Sequence, residues 1–335
     1  MSEFVRELPK AELHLHIEGT LEPSMLLSLS ARNHVPLRYS SVDEIEEAFQ
    51  FTNLQSFLDV YYEAARTLLT RRDFFDLTSA YLERAAADGV VHAEIFFDPQ
   101  THTERGVPLD AVIGGIADAL AAGRAELGLS SGLILCFLRH LPAGRAMDTL
   151  EAALPFREQL LGVGLDSSEV GNPPGAFAGV FAAARDEGLR LVAHAGEEGP
   201  PEYVWEALDV LGAERIDHGN RALEDPELVA RLVTEQVPLT VCPYSNVKLA
   251  VVDRLEDHPL RRMIDLGLNV SINSDDPSYF GGYIGDNYEG TKAALRFSDD
   301  EMAEIARNSL LASFVPDDEK QALIADLDEF LSHRP

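Results

Sequence analysis

The chain has 335 residues, and 27 Lys and Arg against 57 Asp and Glu give a formal net charge of −30 at pH 7. This excess of negative charge argues against DNA, RNA or an anionic membrane as a partner, because Lys and Arg supply most of the affinity for phosphates. Hydrophobic residues make up 46% of the chain and aromatic residues 8%. That composition predicts a globular protein with a solvated acidic surface.

Cysteine usage and the start of the chain bear on the cellular compartment. Cys136 and Cys242 are far apart in the sequence, which predicts neither a disulfide framework nor a thiolate zinc site. Residues 1–10 contain no apolar segment typical of a secretory signal. No apolar run approaches the roughly 18–20 residues of a membrane span. We therefore expect a cytoplasmic protein, and nothing in the pattern indicates its oligomeric state.

Short apolar runs that end in polar residues alternate with longer segments of helical periodicity, for example 110–126 and 226–234. The runs are 11–17, 90–97, 132–139, 162–166, 189–194, 215–218, 238–242 and 268–273. Eight buried strands alternating with helices predict a (β/α)8 TIM-type barrel over one domain, residues 1–335. The long connection after the first strand, about residues 20–88, and the C-terminal part, about 299–331, predict extra helices. The alternative is a doubly wound open sheet, but no glycine-rich phosphate loop follows any strand.

Catalytic groups of such a barrel lie at the C-terminal ends of its strands, where this sequence places several histidines and aspartates. His14 and His16 are two residues apart on a strand, so their side chains point the same way. This pair alone is a weak signal. With His194 and Asp275 it gives three nitrogens and one oxygen, a ligand set that suits zinc or iron. The sequence thus predicts one divalent cation, which would lower the pKa of a water in an open coordination position.

Three further strand-end residues are candidates for the chemistry. Glu197 follows His194 by three residues and could move a proton without binding the metal, although a helix N-terminal carboxylate is the alternative. His218 could orient the water or accept its proton, and the alternative is a buried structural histidine. Asp275 and Asp276 are adjacent, so only one of the two carboxylates can readily bind the ion. The other is free to form a hydrogen bond with substrate.

With these residues, the sequence resembles the adenosine/adenine deaminase family of the amidohydrolase superfamily. The matching segments are PKAELHLHIEGTLEP (9–23), GLDSSE (164–169), HAGE (194–197), RIDHG (215–219), CPYSNVKL (242–249) and NSDDP (273–277). The resemblance implies that His14, His16, His194 and Asp275 bind the metal. It also implies that Glu197 protonates purine N1, that His218 assists catalysis together with Asp275, and that Asp276 hydrogen-bonds N7. Gly164 and Ser167 of the second segment are implied to bind substrate.

Within this family the sequence is most similar to the adenine deaminase branch, in segments 95–106 and 278–283 as well. Adenosine-type members carry an aspartate that contacts the sugar, where this chain has Glu18, and the additional methylene favours the free base. The resemblance implies metal-dependent hydrolysis of adenine to hypoxanthine and ammonia, with zinc preferred and iron as the alternative. Tyr244 replaces a usual leucine, and we expect it to alter the pocket wall in a way that leaves room for an N6-substituted adenine.

The alternative functions differ from this one in substrate, in the number of metal ions or in having no activity. Adenosine, or a 5′- or N6-modified adenine compound, is the alternative substrate. A phosphorylated substrate is disfavoured because only Arg139, Lys248 and Arg221 lie near the strand ends. A two-metal hydrolase would need a lysine at the end of the fourth strand, where residues 165–168 read LDSS. A catalytically silent barrel would lack a ligand or Glu197, and none is missing.

Overall fold

Eight parallel strands form one sheet in which each strand pairs with the next along the chain. The computed structural model describes residues 1–333, so the last two positions of the predicted domain lie outside the described residues. The strands are β1 (Lys10–His16), β2 (Val90–Phe97), β3 (Ser130–Leu138), β4 (Gly162–Asp166), β5 (Arg190–Ala195), β6 (Arg215–His218), β7 (Leu239–Val241) and β8 (Val270–Ile272). The predicted (β/α)8 barrel is confirmed, whereas its treatment as a single domain stays a prediction.

The barrel closes between its first and last strands next to the candidate metal ligands. In the described part of the chain, an isolated bridge joins Leu15 to Asp275. The His16 backbone N–H donates to the Asp275 carbonyl at 3.0 Å, and the Asp275 N–H donates to the His14 carbonyl at 3.1 Å. The backbone that seals the barrel therefore also carries three predicted ligands.

Helices cover the outside of the barrel and fill both predicted extensions. They are α1 (Glu3–Glu7), α2 (Pro23–Asn33), α3 (Val42–Ala48), α4 (Leu54–Ala65), α5 (Arg71–Ala87), α6 (Pro99–Thr103), α7 (Leu109–Leu127), α8 (Ala143–Ala153), α9 (Ala178–Asp186), α10 (Pro201–Glu206), α11 (Pro226–Glu235), α12 (Pro243–Lys248), α13 (Leu260–Asp265), α14 (Pro277–Phe280), α15 (Ile284–Leu295), α16 (Asp299–Ala312) and α17 (Asp317–Ser332). Helices α2 to α5 lie between β1 and β2, and α16 and α17 end the described chain. Among residues 1–333, no helix has both the length and the apolar character needed to cross a membrane.

Local sequence signals explain where α4 begins and which of its faces is buried. Helix α4 begins with a capping box, in which Asn53 accepts from the Ser56 N–H and Ser56 accepts from the Asn53 N–H. Its apolar positions Phe57, Leu58 and Tyr61 recur at helical spacing and are buried. This face of α4 is directed at the C-terminal ends of the strands, where it forms one wall of the cavity described below.

Candidate active site

Four predicted ligands from β1, β5 and the segment after β8 converge at the C-terminal end of the barrel. His14 Nε2 lies 3.3 Å from Asp275 Oδ1, His16 Nε2 lies 3.6 Å from the same oxygen, and His16 Nε2 lies 3.2 Å from His194 Nε2. In a tetrahedral zinc site with bonds of about 2.0–2.1 Å, neighbouring ligand atoms are about 3.3–3.4 Å apart. His14 Nε2 is also buried without a hydrogen-bond partner. The spacing and this unpaired nitrogen fit a single divalent cation.

Asp217 and Thr240 support these ligands from the neighbouring strands β6 and β7. The Asp217 carboxylate lies 3.5 Å from His194 Nδ1 and 3.9 Å from His14 Nδ1, and it accepts a hydrogen bond from Thr240 Oγ1 at 2.8 Å. Thr240 Oγ1 is in turn 3.0 Å from His14 Nδ1. Such contacts fix which ring nitrogen faces a metal and hold the ring in place. No role was predicted for Asp217, although it lies on β6 directly before His218.

Three residues of the site, none of them glycine, have left-handed backbone conformations. Ser167, His218 and Asp275 have φ angles of 74°, 66° and 65°, and each lies at or just after the C-terminal end of a strand. This conformation is unfavourable for residues with a Cβ atom and persists only where the surrounding structure holds it. The strain is therefore concentrated where the strand ends turn their side chains toward one cavity.

A cavity opens above the ligands, with about 410 Å³ of empty space that includes open solvent. Its polar lining residues are His16, Asp98, Asp166, Ser167, His194, Glu197, His218, Asp275 and Asp276. Its apolar and aromatic lining residues are Leu54, Phe57, Leu58, Tyr61, Tyr62, Leu249 and Phe280. The cavity thus has a polar part for recognition and chemistry and an apolar part that excludes water.

Glu197 and His218 face each other beside the ligand cluster. His218 Nε2 lies 3.6 Å from Glu197 Oε2 and 3.8 Å from Asp275 Oδ2. Burial, and then the negative charge of Asp275, raise the pKa of Glu197 well above its usual range. Burial, and then the nearby His14, lower the pKa of His218 to about 3. Burial thus favours the protonated form of Glu197, which can donate a proton, and the neutral form of His218, which can accept one.

The turn that carries Glu197 is held by the carboxylate of Glu169, which the sequence did not single out. Glu169 Oε1 accepts from the Gly196 N–H at 2.7 Å. Its Oε2 accepts from the N–H groups of Glu197, Glu198 and Gly199 at 3.1, 2.9 and 2.7 Å. One buried carboxylate therefore satisfies four successive backbone donors and fixes the position of Glu197 relative to the cavity.

Asp276 lies in the cavity next to the tight turn at Gly19. A Cβ atom at position 19 would lie only 2.1 Å from Asp276 Oδ1, so a larger residue there would displace the carboxyl group. Burial, and then the adjacent Asp275, raise the pKa of Asp276 well above its usual range. The protonated group can donate a hydrogen bond to an acceptor atom of a substrate.

Of the three remaining residues predicted to contact substrate, one lines the cavity and two do not. Ser167 lines the cavity, with its Oγ 3.1 Å from Tyr62 Oη and 2.7 Å from His140 Nδ1. Glu18 and Gly164 are not among the described residues that line the cavity. Gly164 leaves space for the sulfur of Cys136, which would lie 2.6 Å from a Cβ atom at that position. The substrate contacts of Glu18 and Gly164 stay predictions.

Glu18 lies behind the cavity wall, where its carboxylate already has partners. Its Oε1 atom is 2.7 Å from His102 Nε2 and accepts from the Asp98 N–H at 3.1 Å. Burial alone would raise the pKa of Glu18, but the hydrogen bond and charge of His102 lower it overall. An effect of Glu18 on substrate choice would therefore act through its neighbours.

Tyr244 does not form the pocket wall that the sequence suggested. Its ring lies against Gly282 and Gly290, where a Cβ atom at position 290 would be 2.1 Å from the Tyr244 hydroxyl. It is not among the described residues lining the cavity. The expectation that Tyr244 makes room for an N6 substituent is not supported by this position.

Two acidic residues in the cavity, Asp98 and Asp166, were not assigned a role from the sequence. Asp98 follows β2 directly, Asp166 is the last residue of β4, and a carboxyl oxygen of each lies within 4.8 Å of the other. Burial, and then the charge of Asp98, raise the pKa of Asp166 well above its usual range. Their location at strand ends was the available signal, since the same rule led to the predicted metal ligands.

A (β/α)8 barrel with a buried His/Asp group and a buried glutamic acid at its C-terminal end is the architecture of a metal-dependent hydrolase. The family model described as adenosine deaminase matches residues 9–330. The chain belongs to the adenosine deaminase family, and the resemblance found in the sequence is confirmed.

Relatives with curated names and solved structures resemble the chain over nearly its full length. An adenine deaminase from Cupriavidus necator is 59% identical over 335 residues, covering 100% of this chain and 95% of the relative. An adenine deaminase from Acinetobacter baylyi is 55% identical, covering 98% and 99%. The crystal structure of adenine deaminase from Arthrobacter aurescens superimposes with a TM-score of 0.95 at 52% identity, covering 97% and 99%. An amidohydrolase from Burkholderia ambifaria with bound zinc gives a TM-score of 0.90 at 28% identity, covering 98% and 93%.

Proposed function

We infer that this enzyme hydrolyses adenine to hypoxanthine and ammonia. The observation that carries the inference is the buried Glu197, 3.6 Å from His218 and beside the His/Asp cluster, in the cavity at the C-terminal end of the barrel. The name adenine deaminase, borne by relatives 53–59% identical over nearly the whole chain, identifies the substrate. Adenosine and modified adenines are not favoured by these relatives.

We propose that His14, His16, His194 and Asp275 hold one zinc ion, as the zinc in the Burkholderia ambifaria relative suggests, although the same ligands also suit iron. When bound, the cation supplies a water of lowered pKa to the substrate. The spacing of the ligand atoms and the unpaired His14 Nε2 support this assignment. We also propose a cytoplasmic location, consistent with two buried free cysteines.

The other proposed roles follow from which side chains carry a proton and from where those side chains lie. Glu197 donates a proton to purine N1, which lets the ring accept electrons as water adds to C6. His218, neutral because of its burial, accepts a proton from that water. Asp276, protonated, donates a hydrogen bond to N7, and Ser167 lies in the cavity to contact the same substrate. The C6–N bond then breaks as His218 returns its proton to the amino group and the C6 hydroxyl gives its proton to Glu197, which releases ammonia and leaves the carbonyl of hypoxanthine.

Substitution of Glu197 tests this proposal. In Glu197→Gln the side chain keeps its shape but has no acidic proton, and we expect turnover of adenine to fall by about 10²–10⁴-fold. Ammonia release measures turnover, and elemental analysis should find the metal content unchanged. Glu198→Gln, on the adjacent residue outside the cavity lining, is the control and should retain activity. Near-normal turnover by Glu197→Gln would show that the proton comes from elsewhere, and no ammonia from adenine with the metal-loaded wild type would refute the proposed substrate.

A further inference from the structure

Resting on the proposed function, we propose that Asp98, which lies next to Asp166, accepts a hydrogen bond from N9–H of adenine. This contact makes the enzyme select the free base over purines that carry a substituent at N9. The sequence assigned that selectivity to Glu18, which is not among the described residues lining the cavity.

The two carboxyl groups form a built part of the cavity surface rather than a solvated acidic patch. Asp98 and Asp166 are each only 2% exposed, and both line the cavity. Their Oδ1 atoms are buried and have no N–H or hydroxyl donor among the described residues. Asp98 Oδ2 accepts from the Tyr61 hydroxyl at 3.1 Å, which holds the side chain in place. An acceptor group is therefore fixed at the cavity wall with bonding capacity left over.

The proposed pose of the purine places N9 on the same side of the cavity as Asp98. In the proposed pose, Glu197 meets N1 of the six-membered ring and Asp276 meets N7 of the five-membered ring. Asp98 belongs to the Asp276 side, because Gly19 touches Asp276 and the adjacent Glu18 accepts from the Asp98 N–H at 3.1 Å. N7 and N9 flank the same carbon, so a base held at N7 by Asp276 brings N9 toward Asp98.

The hydrogen-bonding groups on the N3 and N9 edge of adenine match those of the cavity wall. Adenine has N9–H as a donor and N3 as the neighbouring acceptor, and the wall offers carboxyl oxygens together with the hydroxyls of Ser167 and Tyr62. A nucleoside has carbon at N9 and cannot donate there, so it would bury an acceptor without a partner. Sites built around such a hydrogen bond reject analogues that lack the donor much more strongly than steric fit alone would.

Glu18 has a different place in this arrangement. Its carboxylate is occupied by His102 and by the Asp98 backbone, so it holds the segment that carries Asp98. Glu18 is thus a positioning residue, and Asp98 is the group that meets the base.

The test compares adenine with 9-methyladenine as substrates of Asp98→Ala, Asp98→Asn and the wild type. We expect the ratio of kcat/KM for adenine to that for 9-methyladenine to fall by about 10- to 100-fold in Asp98→Ala. Asp98→Asn keeps a neutral acceptor oxygen and should give an intermediate ratio. Asp59→Ala, on the exposed face of α4, is the matched control and should leave the ratio unchanged.

Each outcome separates this inference from the proposed function. An equal loss of activity on both substrates would mean that Asp98 only supports the fold, and the inference would be overturned. If Asp98→Ala does not fold, as judged by its thermal melting, the ratio measured for Asp98→Asn decides, and an unchanged ratio in that variant overturns the inference. Failure of the wild type to deaminate adenine would instead refute the proposed function.

Discussion

Asp217 shows how one buried carboxylate can set the orientation of two histidines. It lies within 3.5 Å of His194 Nδ1 and 3.9 Å of His14 Nδ1, so both rings are directed with their Nε2 atoms toward the cation site. Thr240 completes the contact by donating to Asp217. The ligand geometry therefore depends on a residue that does not itself touch the metal position.

We expect Asp217→Asn to weaken metal binding by about 10- to 100-fold, because the amide lacks the negative charge that lies beside both imidazoles. Competition with a chromogenic chelator would measure the affinity of the purified protein. Asp209→Asn, on the exposed part of the segment after α10, serves as the control. An unchanged affinity in Asp217→Asn would mean that the strands alone orient the histidines.

At the scale of elements, the turn between β5 and α10 depends on β4. Glu169 follows β4 by three residues, and it accepts the four N–H groups of residues 196–199. Arg139, which follows β3, donates from Nη1 to the His194 carbonyl at 2.7 Å. Neighbouring strand ends thereby fix both a proposed ligand and the proposed proton donor.

We expect Glu169→Gln to lower kcat by about 10²-fold, since a displacement of order 1 Å is enough for that loss. The glutamine amide nitrogen would face backbone N–H groups that now have a carboxylate oxygen. KM for adenine and the metal content should change little, because the ligands and the substrate contacts remain. Glu206→Gln is a matched control, since Glu206 accepts a backbone N–H from Gly175 at 2.8 Å. A parallel loss of metal would contradict a role confined to the Glu197 turn.

At the scale of the whole molecule, a buried ion pair crosses the interior of the barrel. Arg215 of β6 forms a salt bridge with Glu94 of β2 and donates to the Leu13 carbonyl of β1 at 3.0 Å. Glu94 also accepts from the Phe314 N–H just after α16. Burial would raise the pKa of Glu94, but Arg215 and further hydrogen bonds lower it to about 2. The pair therefore connects distant parts of the chain inside the fold.

The pH dependence of stability should reveal this pair. The pKa of Glu94 is lower in the folded state, about 2, than its ordinary value of 4.5. Its stabilisation is thus complete above pH 4.5 and is lost as the pH falls toward 2. At pH 7 we expect Glu94→Gln to lower the free energy of unfolding by about 3–5 kcal/mol. Denaturant titrations should find that the difference from wild type shrinks below pH 4.5, and a constant difference would contradict this expectation.

The net charge of −30 is also a property of the whole molecule. Like charges repel more in the compact state than in the unfolded chain, and salt screens that repulsion. We therefore expect the melting temperature of the protein to rise between about 10 mM and 1 M sodium chloride, at a constant pH of 7. A flat profile would indicate that the ion pairs on the surface already balance the excess acid.

The sequence predicted the strand positions well because they follow local rules. The runs at 90–97, 162–166 and 215–218 are strands with the predicted limits, whereas 238–242 and 268–273 form only the three-residue strands β7 and β8. Apolar runs report burial, and burial extends beyond the residues that form the hydrogen-bonded ladder.

Contacts between distant segments could not be predicted in the same way. The Glu169 carboxylate meets N–H groups 27 to 30 positions away, and the position of Tyr244 depends on space left by Gly282 and Gly290. Both depend on how the loops pack above the barrel, which periodicity does not encode. The sequence therefore identified the proposed reacting groups but not the side chains that hold them.

The bridge that closes the barrel between Leu15 and Asp275 has a consequence for the order of events during synthesis. A ribosome produces the N-terminal part first, and domains form as their residues emerge. His14 and His16 appear almost at once, yet Asp275 follows some 260 positions later. A nascent chain that ends before Asp275 has neither a sealed barrel nor the full set of proposed ligands, so we expect metal acquisition to be among the last steps of maturation.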